Sequence, residues 1–447
     1  MADPMTSDFQ FSSYGSASSI PSPVNRLMAE FAEGFRDGAD INLGVGYVNE
    51  ETIPSDLIQE ALDAIIADPD RYRQAFNYGG PEGSINLRNS IRNFLVSKNV
   101  GGLTESILSE KRIVIGANGA TSLLQAFGTL FDPGIVITTD PMYYIYCNYL
   151  ERRGFELVTV PEDHDGMNTD ALRSKILALG DKASQVRYFY AVTVSNPTST
   201  VLSNERRKEI VEIVTRLSAE QGRSIPIAFD TSYELLVHDP EIQSLQSGFR
   251  HDNVDLVYEL GTVSKVFAPA LRVGYLIGPN SALTSALVQW NSDAGFSAPL
   301  INQEMASYLI DHHISEQIER VNQGYREKAA RTRNAIEKEL GPLLEDITGG
   351  SAGFYYYLTF RDTETVEGSP FFRYLARTTG DPEIDGPPGN ENPRVVYLPG
   401  EFCVHPKGDL AEKGRRQLRI SYAFEDVDRI VQAVEMMREA AEYVASV

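Results

Sequence analysis

The chain has 447 residues, enough for two to four domains and a large apolar core. Hydrophobic residues make up 42% and charged residues 23%, ordinary globular usage that argues against wholesale disorder. With 40 Lys and Arg against 62 Asp and Glu, the formal charge of −22 repels phosphate backbones and anionic lipid, so neither nucleic acid nor membrane is an expected partner.

Met1 to Arg26 is rich in Ser, Pro and Asp and has no apolar stretch behind basic residues, so it does not read as a secretory signal. No run approaches the ~18 apolar residues of a membrane span. The only cysteines, Cys147 and Cys403, cannot build a disulfide framework or a four-thiolate metal site. A cytoplasmic protein without a metal site is expected. Residues 1–40 read as a flexible arm and a short helix (Val24–Phe35) that joins the small domain or a dimer contact.

From 111 to 280, apolar strand-like runs alternate with helical patterns. The runs are Arg112–Gly116, Ile135–Thr139, Glu156–Val160, Val186–Val194, Ile225–Phe229, Val254–Leu260 and Val273–Ile277. Helices are expected over 120–130, 143–153, 169–179 and 203–219, the last capped by Ser203. Near-continuous Val/Ile runs between helices indicate an α/β domain with a mainly parallel seven-stranded sheet buried on both faces. The last two runs leave no room for a helix between them, so one strand is expected antiparallel.

Beyond 300 the pattern changes. A polar helix (314–340) precedes strand-like Gly353–Phe360, Val395–Leu398 and Gln417–Tyr422. A final helix places Val427, Ile430, Val431, Val434 and Met437 on one stripe. Gly380–Pro393 is a turn-rich insertion expected to be a mobile loop. The expected division is an arm (1–40), a large domain (41–300) and a smaller α+β domain (301–447).

Open α/β sheets bind ligands beyond the carboxyl ends of their strands. The residues that follow the strands are Asn118-Gly119-Ala120-Thr121-Ser122, Asp140-Pro141-Met142-Tyr143, Asn196-Pro197-Thr198, Asp230 with Tyr233, and Thr262-Val263-Ser264-Lys265 with Arg272 seven positions on. Each alone has a bland reading as a cap, a turn or a surface Lys. With Tyr78-Gly79-Gly80-Pro81-Glu82-Gly83 and Leu418-Arg419-Ile420-Ser421, their order and spacing resemble the fold-type I pyridoxal 5′-phosphate (PLP) enzymes of the class I/II aminotransferase family. The chain looks most like the α-aminoadipate and kynurenine aminotransferase branch.

The resemblance implies the following roles. Lys265 would carry PLP as an internal aldimine and shuttle the proton. Asp230 would pair with the pyridinium nitrogen, Tyr233 and Asn196 would bond the phenolic oxygen, and Tyr143 would stack on the ring. Ala120, Thr121, Thr262, Ser264 and Arg272 would hold the phosphate, joined by Tyr78 from the neighbouring subunit of a homodimer. Arg419, with Asn196 beside it, would take the substrate carboxylate. The activity implied is transfer of an amino group between an amino acid and a 2-oxo acid. Another PLP reaction (lyase, decarboxylase, cyclase or oxidase) stays open on the same scaffold. A ligand sensor behind a DNA-binding domain is disfavoured, because residues 1–40 are too few for that domain. A nicotinamide dehydrogenase is disfavoured by the lack of a Gly-x-Gly-x-x-Gly turn. The sequence departs from the family pattern at Val192 (usually Pro), Ser199 (usually Gly), Thr262 (usually Ser) and Ala270 (usually Gly).

Overall fold

Ile135–Asp140 is buried at every position, as a strand must be when helices cover both faces of its sheet. The computed structural model describes residues 9–446. Fourteen strands run in chain order among them: β1 Ile41–Asn42, β2 Lys111–Ile115, β3 Ile135–Asp140, β4 Glu156–Asp163, β5 Gly166–Met167, β6 Val186–Val192, β7 Ile227–Asp230, β8 Val257–Thr262, β9 Gly274–Pro279, β10 Leu344–Gly349, β11 Tyr355–Phe360, β12 Val395–Val396, β13 Leu398–Pro399 and β14 Gln417–Ser421.

The central sheet has the order β2-β9-β8-β7-β6-β3-β4-β5. The β3–β4, β3–β6, β6–β7 and β7–β8 pairs are parallel. As the missing helix implied, β9 is antiparallel to both neighbours, β2 and β8. The eighth strand corrects the expected seven. It is the two-residue β5, which folds back on β4 through a turn where Asp163 accepts the Asp165 N–H and Gly166 has φ +93°. The helices Gly119–Leu130, Tyr144–Arg152, Thr169–Leu179 and Asn204–Gln221 lie where the periodicity put them. Ser203 Oγ accepts the Arg206 N–H as the N-cap of the last.

The second sheet is antiparallel, order β10-β11-β14-β13. The long helix begins at Leu300, not 314, and runs to Leu340. Buried polar residues blurred its first turns in the sequence. Gln303 accepts the Ser84 N–H at 2.7 Å, and Ser307 Oγ lies 2.8 Å from Ser90 Oγ. The helix therefore packs on Ser55–Ala67 and Ile85–Ser97 before reaching the final helix, Val427–Ser446.

Helix Pro23–Ala32 buries Val24, Leu27 and Phe31. Behind it, Ile41 and Asn42 pair in parallel with Val395 and Val396. Residues 22–42 are thus built into the second sheet's side of the molecule, whereas Tyr14 packs on Tyr149 of the helix Tyr144–Arg152. Residues 1–8 of the expected arm lie outside the described residues. Gly380–Pro393 is a folded turn rather than a bare loop. It holds the short helix Pro382–Asp385 and gives the Glu391 and Asn392 carbonyls to Arg36.

Candidate active site

Strand direction assembles the site. β2, β3, β6, β7 and β8 point the same way, so the residues after them meet at one edge. β9 runs oppositely, so its amino end reaches that same edge and brings Arg272. Ala120, Thr121, Tyr143, Asn196, Asp230, Tyr233, Thr262, Ser264, Lys265 and Arg272 line one cavity there. Arg419, on β14, joins them by donating from Nη1 to Asn196 Oδ1 at 2.8 Å. Tyr78 is not brought in: it is 78% exposed, with its ring 6.0 Å from that of Phe296.

The start of helix Gly119–Leu130 forms one end of the cavity, where free backbone N–H groups favour an anion. A Cβ on Gly274 would fall 2.1 Å from the Ala120 nitrogen, so only glycine lets β9 seat against this helix start. Arg272 Nε donates to Asn118 Oδ1 at 2.8 Å, which aims the guanidinium across the same end. Thr262 Oγ1 donates to Val273 O at 2.7 Å and accepts the Ser264 N–H at 3.1 Å. Its one hydroxyl proton is directed into the loop, and it fixes the position of Ser264.

Asp230 ends β7 and is 5% exposed. Burial pushes its pKa up, while hydrogen bonds from Ser232 and Tyr190 and the nearby Lys265 charge oppose that. The Ser232 N–H donates to Oδ1 at 3.1 Å and the Tyr190 O–H to Oδ2 at 3.0 Å. Lys265 Nζ donates to Gly46 O at 3.3 Å and lies 5.3 Å from the Tyr233 ring centre. Burial, then the charges of Arg419 and Arg272, lower its pKa to about 8, against the pull of Asp230. Part of its population is thus a neutral amine at physiological pH.

Lys265, Arg272 and Arg419 make every one of their hydrogen bonds to neutral acceptors. In a chain of charge −22 these cations have not been neutralised by the protein's own carboxylates. Arg419 is 1% exposed, its Nε has no partner, and its guanidinium lies 4.3 Å from the centre of the Tyr355 ring. A buried, incompletely used guanidinium marks a place for an anionic ligand.

Residues 39–379 match the family described as "Aminotransferase class I and II". The chain belongs to this aminotransferase family. It is 27% identical over 394 residues to the 2-aminoadipate transaminase of Thermus thermophilus, covering 87% of each chain. It is 25% identical over 324 residues to an uncharacterized HTH-type transcriptional regulator, YdfD, of Bacillus subtilis, and that match spans 72% of this chain but 63% of the regulator. The fold is that of the Pyrococcus horikoshii kynurenine aminotransferase solved in complex with PMP, with a TM-score of 0.78, 21% identity and 96% of both chains covered.

The aminotransferase family uses PLP, and this site fits that group. A helix start and Arg272 suit its phosphate. A partly neutral Lys265 suits its aldehyde, and a buried carboxylate with two donors suits a cationic ring nitrogen. Sequence reading of the aminotransferase motifs missed Tyr190 and Tyr355. Tyr190 sits inside a strand and follows no motif. Tyr355 opens the run Tyr355-Tyr356-Tyr357, which carries no signal for which ring faces the site.

Proposed function

We propose that the chain is a PLP-dependent aminotransferase that moves an amino group from an amino acid to a 2-oxo acid. The observation that carries this reading is Lys265, an amine with a lowered pKa between a buried carboxylate and two unneutralised guanidinium groups. When bound, PLP supplies an aldehyde that condenses with amines and a cationic ring that draws electrons from the substrate Cα.

The chain's own residues do the rest. Ala120, Thr121, Ser264 and Arg272 hold the phosphate, with Thr262 bracing Ser264. Asp230 would pair with the protonated ring nitrogen, whose positive charge would offset the burial that raises the carboxyl's pKa. Tyr233 and Asn196 face the phenolic oxygen, and Tyr143 closes one side. Arg419 fixes the substrate carboxylate and so the direction of the Cα–H bond. Lys265 Nζ, in its neutral form, would take the substrate Cα proton and hold it for return on the cofactor's side of the amino nitrogen.

The functional unit in this proposal is a homodimer of two copies of the chain, each with a large domain (41–300) and a small domain (301–447), and with Tyr78 serving the other subunit's phosphate. Phe76, Tyr78 and Tyr47 are 75%, 78% and 62% exposed, an aromatic surface suited to a second copy. A cytoplasmic location is in keeping with two buried free thiols, Cys147 and Cys403; a place in amino-acid biosynthesis rests only on the proposed substrates. Among the described residues, no helix is long and apolar enough to cross a membrane.

The test is a panel of amino acids given to the holoenzyme without an acceptor. One 2-oxo acid should be released per site, with conversion of the cofactor to its amine form. Repeated turnover without acceptor would instead mean lyase, decarboxylase or oxidase chemistry.

A further inference from the structure

Ser199 departs from the glycine usual at its position, and the structure gives it a task. Its φ is +54°, a left-handed conformation that is strained for a residue with a Cβ. Glycine would remove that strain, so the side chain has to offer something in return. Ser199 is 2% exposed, and its Oγ accepts the backbone N–H of Tyr355 at 3.1 Å. The approach is possible only because residue 353 is glycine: a Cβ there would lie 2.9 Å from Ser199 Oγ.

The contact closes a ring. Ser199 belongs to the loop after β6 that carries Asn196, and this loop is shut by the Val194–Val201 bridge. Thr200 Oγ1 ties it to Glu162 on β4 at 3.1 Å. Tyr355 opens β11 in the other sheet. Its ring lies under the Arg419 guanidinium, and its hydroxyl is 3.1 Å from that of Tyr233. Arg419 in turn donates to Asn196. One path across the two sheets is thus Asn196–Arg419–Tyr355, and the Ser199 hydroxyl is its return.

We infer that Ser199 is a positioning residue whose hydroxyl locks Tyr355, and through it the Arg419 guanidinium, at a fixed distance from the Asn196 loop. This rests on the reading of Arg419 as the carboxylate anchor. Without the hydroxyl, the buried Tyr355 N–H loses its acceptor, and the Tyr355 ring is free to shift beneath Arg419. The loss falls chiefly on the substrate carboxylate; the phosphate contacts stay in place, and the Tyr233 hydroxyl, 3.1 Å from that of Tyr355, is the nearest cofactor-side group.

The experiment uses holoenzyme of wild type, Ser199→Ala, Ser199→Gly and Gly353→Ala. Three quantities are measured: PLP dissociation, kcat and KM for the fastest amino acid of a twenty-member panel, and kcat/KM for the amine left when that amino acid's carboxylate is removed. Both Ser199 variants should raise KM for the amino acid about tenfold, with kcat and PLP affinity changed less than threefold and the amine unaffected. Gly353→Ala, which crowds the hydroxyl from the opposite side and also strains a backbone at φ +60°, should show the same KM pattern with a lower melting temperature. Lowered thermal stability with an unchanged ratio of amino acid to amine would make Ser199 structural only and overturn the inference. A parallel loss of PLP affinity would place its effect on the cofactor and overturn it equally. If wild type shows no preference for the amino acid over the amine, the carboxylate reading of Arg419 fails first, and the inference falls with it.

Discussion

Replacing Arg419 with Met keeps most of the side chain's length and removes its fork. The guanidinium has five N–H groups. One on Nη1 goes to Asn196 Oδ1, one on Nη2 goes to Gly44 O, and Nε is buried without a partner. Three N–H groups therefore remain, enough for both oxygens of a carboxylate. Hydrogen bonds to charged groups contribute about 1.5–3 kcal/mol each, so a bidentate pair contributes roughly 3–6 kcal/mol. At about 1.4 kcal/mol per factor of ten, Arg419→Met should lower kcat/KM for an amino acid by about 10²–10⁴, chiefly through KM. The variant also leaves Asn196 Oδ1 without its donor, which costs activity for another reason. That part is removed by comparing each amino acid with its decarboxylated amine in a single-turnover absorbance assay. Wild type should favour the amino acid strongly, and the variant should treat the two alike. A variant that keeps the wild-type ratio, or loses both substrates equally, would refute the assignment.

Four further outcomes are expected. Borohydride should fix the cofactor on the peptide bearing Lys265, and the rate of PLP capture by apo-protein should rise through about pH 8 and then level; a rate still climbing near pH 10, where an ordinary Lys titrates, would contradict the lowered pKa. The same shift makes apo-protein stability rise with pH between about 8 and the unfolded Lys value of about 10.4, because the unfolded chain binds the proton there and the folded one does not. Lys265→Met should flatten that rise in a thermal-melt series. Tyr190→Phe removes one donor from Asp230 while its ring stays 4.8 Å from Tyr146, so kcat/KM should fall about ten- to a hundredfold with little change in melting temperature. Tyr78→Ala should weaken PLP binding without detaching any cofactor contact inside its own subunit, and sedimentation of wild type should give twice the chain mass; a monomer with full PLP affinity would exclude a shared site.

Most of the motif residues could be read because they follow strands of the central sheet, and parallel strands bring their carboxyl ends to one edge whatever the loops do; Arg419, inside β14, and Tyr78 could be read only from the family resemblance. Even Arg272, which precedes a strand, obeys this logic once β9 is antiparallel. The residues that tune the site depend instead on register. Tyr190 pairs with Ala228, and Val192 with Asp230. A slip of one residue between β6 and β7 would turn the tyrosine to the other face and leave Asp230 one donor short. No pattern within either strand specifies that slip. Tyr355 poses the same problem more sharply, since only pairing with Ser421 on β14 distinguishes it from its two neighbouring tyrosines.

Ser199 lies between these cases. The sequence marks it as unusual, but the reason for a serine there is Gly353, on a segment 154 positions away. Glycine at 353 is also required by its own left-handed backbone, φ +60°, and the space it leaves is what the Ser199 hydroxyl uses. Ser199 supplies an oxygen at a strained backbone position, and Gly353 clears the space that lets the second sheet reach it. A chain with serine at 199 and a larger residue at 353 would keep the backbone strain and lose the hydrogen bond. The departure at 199 is therefore coupled to the second sheet, and exchanging Ser199 for glycine should cost substrate binding even though it relieves the backbone.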